Sequence, residues 1–417
     1  MIGPWILTQS QAVARLYNVT TTLSAKLKTL PLVGQVFNLP ESLLTTVLMS
    51  KRSPLPQELS SRATVPGGPR ARAWGDEPPP WTDAWISTPR EELHAQYQGL
   101  VGREHNYLAI SGGGANGAFG AGLLTGWTKA GTRPEFTAVT GISTGALAAP
   151  LAFLGPDWDH RLEEVYTTFS TKDLVKKTPI AAVTSSAVFG TKGLQGVIAR
   201  FFNEAVMEAV AKEFRDKGRL LAIGTTNLDA LRPVSWNIGR IAASGHPDAL
   251  DLIRKVLLAS ASIPIAFPPV HIEVEVDGRR YEEMHVDGGA TAQIFLYPSG
   301  LDWARIMERL EVQGRPNVYL IRNFCHTPGW KTMKPLLLPI ALRTVQSLIR
   351  TQGIGDIFRV YYAAQRDGLD FHLADIPADF DHQPTEQFDP LYMRQLFDLG
   401  HDLAKSGYLW KRTPNDF

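Results

Sequence analysis

Three short motifs in this sequence contain the residue types that acyl-transfer chemistry requires. In chain order they are a glycine-rich run at residues 112–117, a Gly-x-Ser-x-Gly pattern at residues 141–145 and an Asp-Gly-Gly pattern at residues 287–289. The first offers bare backbone amides to a negatively charged oxygen, the second offers the hydroxyl of Ser143 as a nucleophile, and the third offers Asp287 as a base. We therefore interpret the three motifs as parts of one hydrolytic site.

The glycine-rich run joins two predicted elements. Residues 107–110 before it are apolar and predict a buried strand, whereas residues 118–124 after it are small and apolar and predict a helix. A strand that enters a helix through glycines leaves several N–H groups unpaired near the positive end of the helix dipole. We expect this loop to hold an anion, which is either a phosphate or the oxyanion of a tetrahedral intermediate.

Ser143 lies between a predicted strand and a predicted helix in the same way. Residues 136–140 include β-branched and aromatic residues and predict the strand, and residues 145–154 predict the helix. Gly141 and Gly145 relieve crowding on either side of the serine, so its hydroxyl can project above the strand end. A nucleophile elbow requires this strand–turn–helix context.

Asp287 lies at the end of a predicted hairpin. Residues 271–276 alternate in polarity as a strand does, and residues 281–286 return after an Asp-Gly turn. Gly288 and Gly289 free the backbone beside the carboxylate. A carboxylate at a strand end can accept a proton directly from a serine hydroxyl.

The glycine-rich run also matches the dinucleotide-binding pattern G-x-G-x-x-G. That pattern expects an acidic residue at the tip of the next strand, whereas here the strand leads to Ser143 and Glu135 stands at its beginning. A dinucleotide-binding oxidoreductase and a catalytically silent scaffold are the alternatives to a hydrolase. The sequence contains neither an H-E-x-x-H pattern nor paired cysteines nor an acidic calcium loop, so we expect no metal and no cofactor.

The three motifs together resemble those of the patatin-like phospholipases. The resemblance covers roughly residues 105 to 300 and includes the segments 224–229 and 259–270. It implies that Ser143 is the nucleophile and Asp287 the base of a two-residue dyad. It also implies that the oxyanion receives hydrogen bonds from the amides of Gly112, Gly113 and Gly114. The other motif residues would support the site, namely Asn116, Gly117, Gly141, Gly145, Gly288 and Gly289.

The resemblance implies a lipid acyl hydrolase of the phospholipase A or esterase type, which cleaves carboxylic esters through an acyl-enzyme and needs no cofactor. Many family members carry Arg or Lys where this chain has Asn116. A neutral amide donates hydrogen bonds but offers no fixed positive charge to an anionic head group. This departure favours neutral lipids or other fatty-acyl esters beside phospholipids as substrates.

A histidine would distinguish the dyad from a Ser–acid–His triad, in which the histidine follows the acid in chain order. The histidines after Asp287 lie in no recognisable motif; they are His326, His372, His382 and His401. His285 lies two residues before Asp287 and on the same face of the predicted strand. It is either a structural residue or one that orients the site, and we expect the dyad.

Composition limits the remaining possibilities. The chain has 417 residues, a formal net charge of +1, 44% hydrophobic residues and 20% charged residues. These values are typical of a soluble globular protein, and the near-zero charge disfavours a nucleic-acid partner. The single Cys325 excludes an internal disulfide. Because the sequence shows neither a signal-peptide pattern nor a run of about 18 apolar residues, we expect a protein that is cytoplasmic or peripherally associated with a membrane.

We predict an α/β, patatin-like three-layer fold with a mainly parallel central sheet and with helical extensions at both ends. The chain divides into four parts, which are an N-terminal helical extension (1–52), a Pro-rich linker or arm (53–104), a catalytic domain (105–325) and a C-terminal helical region packed on it (326–417).

Two segments have patterns with more than one interpretation. The first part carries a helical stripe of leucines beside basic residues, which is typical of a helix packed on the body or a subunit and of a membrane-surface helix; the leucines are Leu16, Leu23, Leu27 and Leu30. The apolar stretch 334–350 carries only three charged residues, Lys334, Arg343 and Arg350. It predicts either a packed helix near the site or a lid or membrane-docking surface.

Overall fold

The structure is a computed structural model of the chain. It describes residues 52–66, 68, 70–174, 176–177, 189–298, 300–325, 330 and 332–414. The leucine stripe of the first part lies outside these residues, as does His326.

The strands have the following bounds: β1 Arg72–Trp74, β2 Asn106–Ile110, β3 Ala138–Ile142, β4 Lys176–Lys177, β5 Phe189–Gly190, β6 Leu220–Asn227, β7 Arg232–Asn237, β8 Val270–Val276, β9 Arg279–Asp287, β10 Asn317–Cys325 and β11 Asp370–Ile376.

The α-helices have the following bounds: α1 Thr82–Ser87, α2 Arg90–Gln96, α3 Gly117–Lys129, α4 Thr144–Leu154, α5 Asp159–Thr167, α6 Thr171–Leu174, α7 Lys192–Phe201, α8 Glu204–Lys217, α9 Ile238–Ala242, α10 Ala249–Ser260, α11 Trp303–Arg309, α12 Leu337–Asp367 and α13 Pro390–Lys405.

The main sheet has nine strands within the described residues. Its centre is parallel, in the order β6-β3-β2-β10-β11. Strands β7 and β9 pair with β6 in antiparallel orientation, and β1 and β8 extend these two. The prediction of an α/β fold with a mainly parallel sheet is therefore confirmed.

Apolar cores lie on both faces of this sheet. Successive side chains of a strand point to opposite faces, and β2 shows the consequence. Leu108 and Ile110 belong to a core that includes Phe119 of α3, whereas Tyr107 and Ala109 belong to a second core that includes residues of α11 and α12. Helices thus cover both faces, which gives three layers.

The segment 53–104, which we predicted as a linker or arm, contributes the edge strand β1 to the sheet. Arg72 of β1 is buried and donates two hydrogen bonds to the carboxylate of Glu283, at 2.9 and 2.6 Å. A strand of three residues is too short to show alternation, so the sequence pattern did not predict it. The region 326–417 likewise contributes β11 beside its helices. The four-part division of the chain stays a prediction.

The parallel strands position the motifs. Strands β2 and β3 run side by side and end at Ile110 and Ile142, so the glycine-rich run and Ser143 emerge at the same edge of the sheet. Ligands bind at this edge in open α/β sheets. None of the helices in the described part of the chain is both long and apolar enough to traverse a lipid bilayer.

Candidate active site

Ser143 occupies the sharp turn between β3 and α4. Its backbone has φ +55° and ψ −123°, a conformation that costs energy for any residue with a side chain. Both flanking positions require glycine, because neighbouring backbone carbonyls leave no room for a side chain. A Cβ at Gly141 would overlap the Gly145 carbonyl, and a Cβ at Gly145 would overlap the Ile110 carbonyl. The predicted strand–turn–helix context is confirmed, and Ser143 itself is buried.

The turn is hydrogen-bonded to Ser260, the last residue of α10. The Ser143 amide donates to the Ser260 hydroxyl oxygen at 3.0 Å, and that hydroxyl donates to the Gly224 carbonyl of β6 at 2.6 Å. Ser260 is fully buried. Ser260 belongs to the segment 259–270 of the family resemblance, but the sequence alone indicated no role for it.

Asp287 reaches the same place through strand pairing. In β6, Gly224 pairs with Ile142 of β3 and Thr225 pairs with Asp287 of β9. The ends of β3 and β9 therefore meet along the same edge of β6, whose other edge pairs with β7. This explains how residues that are far apart in the sequence come together.

The Asp287 carboxyl group is buried against the Ser143 hydroxyl. Burial raises the pKa of Asp287 to about 7, although hydrogen bonding to Ser143 and to the Gly289 amide favours its charged form. Oδ1 accepts the Gly289 amide at 2.7 Å. Within the described part of the chain, Oδ2 is enclosed and has no hydrogen-bond partner of ordinary geometry. Catalytic hydrogen bonds are often long before substrate binds.

The glycine-rich loop lies beside the serine, but its amides are not equivalent. A Cβ at Gly112 would lie 3.2 Å from the Ser143 Cβ, so the loop touches the nucleophile. The Gly112 amide donates to the Gln293 carbonyl at 3.1 Å and is therefore occupied, contrary to our expectation that it serves the oxyanion. The amides of Gly113 and Gly114 make no hydrogen bond to any other described residue.

Asn323 of β10 fixes the shape of this loop. Its amide donates to the Ser111 hydroxyl at 2.9 Å, and its side chain donates to the Ser111 carbonyl at 3.0 Å. A Cβ at Gly113, where φ is +155°, would overlap the Asn323 carbonyl. Asn323 was not predicted from the sequence, because an asparagine near a strand end belongs to no motif.

The supporting residues of the motifs pack at the same edge. The Asn116 side-chain oxygen accepts the Tyr392 hydroxyl of α13 at 2.8 Å. Gly117 leaves room for the Thr144 side chain, and Gly288 lies against the Gly224 carbonyl.

His285 belongs to a buried network behind the site. Its ring nitrogens contact the Thr225 hydroxyl at 3.0 Å and the Glu283 carboxylate at 3.1 Å. Burial lowers the pKa of His285, although the hydrogen bond that the ring donates to the Glu283 carboxylate opposes this, and the lowered pKa favours the neutral ring. This is the structural role that we weighed for it.

The other described histidines lie elsewhere. His372 contacts Asn317 and Arg412, and His382 and His401 lie beside neighbouring aspartates. No histidine among the described residues hydrogen-bonds Ser143 or Asp287. No group of metal-ligating side chains is found in the same residues.

A cavity of about 620 Å³ lies next to the serine turn, at the neighbouring residue Ile142. Ile142, Gly224 and Gly288 form its wall beside the turn. The rest of its lining is largely apolar and includes Ile294, Phe295, Leu296 and Val360, with Arg359 and Arg366 also contributing. Its size and apolar lining suit the hydrocarbon part of a ligand.

Residues 108–297 match the family model described as patatin-like phospholipase. Among solved structures, the crystal structure of VipD from Legionella pneumophila aligns with a TM-score of 0.40 and 13% identity, over 73% of this chain and 66% of that chain. No curated protein matches the sequence. All three motifs fall within the matched residues. The chain therefore contains a domain of the patatin-like phospholipase family, which spans residues 108–297.

Proposed function

We propose that this protein is a lipid acyl hydrolase in which Ser143 and Asp287 act as a catalytic dyad. The observation that carries the proposal is the contact of the strained, buried Ser143 with the buried carboxyl group of Asp287. The family of residues 108–297 supports hydrolysis of lipid esters in general.

The reaction has two steps. The Ser143 oxygen attacks the ester carbonyl carbon while Asp287 takes the hydroxyl proton, and the carbon–oxygen bond to the alcohol then breaks as the alcohol oxygen receives that proton. In the second step Asp287 takes a proton from water, which attacks the acyl-enzyme, and Ser143 leaves with its proton restored. The products are a fatty acid and an alcohol.

The negatively charged oxygen that develops in both steps needs hydrogen-bond donors to stabilise it. The amides of Gly113 and Gly114 are the candidates, because the Gly112 amide is already bound to the Gln293 carbonyl. Glycine at these positions lets a substrate approach the backbone closely. Loss of one oxyanion donor typically lowers the rate by about 100- to 1000-fold.

The substrate class follows from the cavity and from Asn116. The largely apolar cavity beside Ile142 suits a fatty-acyl chain. Asn116 brings no positive charge and is bound to Tyr392, so phospholipids and neutral fatty-acyl esters are both substrates in this proposal.

A fluorophosphonate probe tests the nucleophile. We expect it to label the wild-type protein and not Ser143→Ala. Ser262→Ala is a matched control, because this buried hydroxyl bonds only the Leu258 carbonyl at 2.7 Å, and it should be labelled normally. Labelling of Ser143→Ala would refute the assignment.

Hydrolysis of p-nitrophenyl esters tests the base. Asp287→Asn should lose hydrolysis while its circular dichroism spectrum is unchanged. Activity in this variant would refute the dyad. Absent labelling and absent hydrolysis in the wild type would favour a silent scaffold, and bound nicotinamide or flavin absorbance would favour an oxidoreductase.

A further inference from the structure

Exposed large hydrophobic side chains are concentrated in one segment. Ten such side chains occur among the described residues, and five of them lie between residues 330 and 348. Trp330 is 97% exposed, Leu337 87% and Leu348 65%; Leu336 and Ile340 are the other two. Exposed apolar side chains that are concentrated in this way mark an interaction site.

Helix α12 changes its environment along its length. Asp356, Ile357, Val360 and Ala364 in its second half are buried, whereas no described side chain of residues 337–352 is buried. The described side chains of the first half are therefore exposed or half-buried. The stretch 334–350, for which we considered both a packed helix and a docking surface, lies before or within this half.

The exposed side chains of the first half form a stripe. Leu337, Ile340, Thr344 and Leu348 follow one another at intervals of three or four residues, so they share one face of the helix. The Thr344 hydroxyl donates to the Ile340 carbonyl at 2.9 Å. Its polar group is thus satisfied within the helix, and the stripe can enter an apolar environment.

The charged residues that surround the stripe in the sequence are all positive. Lys334, Arg343 and Arg350 are the charged residues between positions 332 and 355, and no Asp or Glu occurs there. An anionic lipid surface complements this arrangement, because apolar side chains can enter its hydrocarbon boundary while cations lie near its head groups.

The positive charge beside the stripe disfavours two other binding partners for this surface. A second copy of this surface would bring the same charges into contact. Residues 1–51 carry four basic residues, Arg15, Lys26, Lys28 and Lys51, and one acidic residue, Glu41, so this segment would also meet like charge.

The stripe belongs to the helix that contacts the candidate site. The Gln352 side chain donates to the Thr291 carbonyl, and Asp356 accepts the Gln293 amide at 2.7 Å. The Gln293 carbonyl in turn binds the Gly112 amide. Arg359 and Val360, further along α12, line the same cavity as Ile142, the residue before Ser143.

We propose that Trp330, Leu336 and residues 337–352 form a docking surface for an anionic lipid bilayer. Docking brings the cavity mouth to the membrane, where lipid esters are available. Binding to the bilayer needs no catalysis, so it can be tested apart from the hydrolase proposal, although its use for substrate delivery rests on that proposal.

Vesicle flotation with the full chain carrying Ser143→Ala tests the docking surface without lipid turnover. We expect binding to phosphatidylcholine vesicles that contain phosphatidylglycerol and weaker binding to pure phosphatidylcholine. Adding Leu337→Glu and Leu348→Glu should lower the partition coefficient at least about tenfold, because two large apolar contacts are lost. Lys334→Gln should lower binding to the anionic vesicles about fivefold.

Leu409→Glu is the matched control, because Leu409 is 91% exposed and outside the proposed surface; it should bind vesicles as the parent does. The Leu337→Glu, Leu348→Glu double variant in the wild-type background should hydrolyse a soluble ester at the wild-type rate. Vesicle binding unchanged by the double variant would overturn the proposal, as would absent binding to anionic vesicles. Loss of a dimer on introducing the double variant, without vesicle binding by the parent, would assign the surface to a second copy instead.

Discussion

The Ser143 amide donates a hydrogen bond to the Ser260 hydroxyl, which in turn donates a hydrogen bond to the Gly224 carbonyl of β6. Through this chain, the end of α10 supports a turn whose positive φ at a non-glycine residue costs energy. The strained turn therefore depends on a residue that is 117 positions away in the sequence.

Ser260→Ala should destabilise the protein and slow ester hydrolysis. It leaves a buried N–H and a buried C=O without their partner, which costs about 1–3 kcal/mol, and it frees the serine turn to relax. Urea unfolding and kcat for a soluble ester measure the two effects. Ser262→Ala removes an equivalent buried hydroxyl that does not touch the turn, so it should lower stability without a comparable loss of kcat. Equal losses of kcat in both variants would contradict the role of Ser260.

The rate of ester hydrolysis should rise with pH through about 7. Burial raises the pKa of Asp287 to about 7, and only the deprotonated carboxylate can accept the Ser143 proton. The measurement is kcat/KM for a soluble ester as a function of pH. A midpoint near the ordinary aspartate value would mean that the carboxylate is solvated, and a rate independent of pH would argue against a titrating base.

Asp287→Asn should stabilise the folded protein at alkaline pH while abolishing hydrolysis. The pKa of this carboxyl rises from 3.8 to about 7 on folding, so between these values the unfolded chain has lost a proton that the folded protein keeps. Stability therefore falls as pH rises through this window, and the full penalty applies above it. The variant should gain up to about 4 kcal/mol at about pH 8 and nothing below the unfolded pKa.

Glu283→Gln is the control, for which we expect the opposite change in stability. Burial alone would raise the pKa of Glu283, but His285 and Arg72 together lower it, so its charge stabilises the fold above the unfolded pKa. This variant should lose stability at about pH 8. Denaturant unfolding at several pH values measures both variants, and a stability of Asp287→Asn equal to wild type at about pH 8 would contradict the buried charge.

The elements around the motifs could be predicted from the sequence because each motif is local. Apolar residues 107–110 and the alternating residues 271–276 are visible as strands in a short window, and they correspond to β2 and β8. Glycines at a strand–helix turn indicate the shape of the backbone without any knowledge of distant residues. The Ser143 turn and the end of β9 were predictable for this reason.

The groups that hold the site together could not be predicted in this way. Asn323 and Ser111 are 212 positions apart, and neither residue type nor spacing indicates that they pair. The occupied amide of Gly112 depends on where the Gln293 backbone lies, which a glycine pattern does not encode. For residues 334–350, the apolar composition was compatible with both a packed helix and a docking surface, and it could not tell which side chains the rest of the protein would cover.

Gly113→Ala should slow hydrolysis far more than Gly114→Ala does. Both glycines have positive φ, so alanine costs about 1–2 kcal/mol of backbone strain at either position. At Gly113 the new Cβ would also overlap the Asn323 carbonyl, whereas nothing lies within 4 Å of a Cβ at Gly114. The loop must therefore move in the first variant alone.

Fluorophosphonate labelling rates and kcat compare these two variants. We expect a loss of about 100- to 1000-fold for Gly113→Ala, the size typical of a lost oxyanion donor. Labelling of Gly113→Ala at the wild-type rate would argue that the loop shape set by Asn323 does not serve the reaction.

Asn116→Arg should shift substrate preference toward anionic phospholipids. The arginine introduces the positive charge that many members of the family carry at this position, and a nearby charge contributes about 1 kcal/mol to head-group attraction, or about fivefold in relative kcat/KM. The measurement is kcat/KM for phosphatidylglycerol relative to a neutral ester of the same acyl chain. The substitution also removes the acceptor of the Tyr392 hydroxyl, so Tyr392→Phe is the control that loses this hydrogen bond without gaining a charge. An equal shift of preference in both variants would show that the hydrogen bond, and not the charge at position 116, sets head-group selectivity.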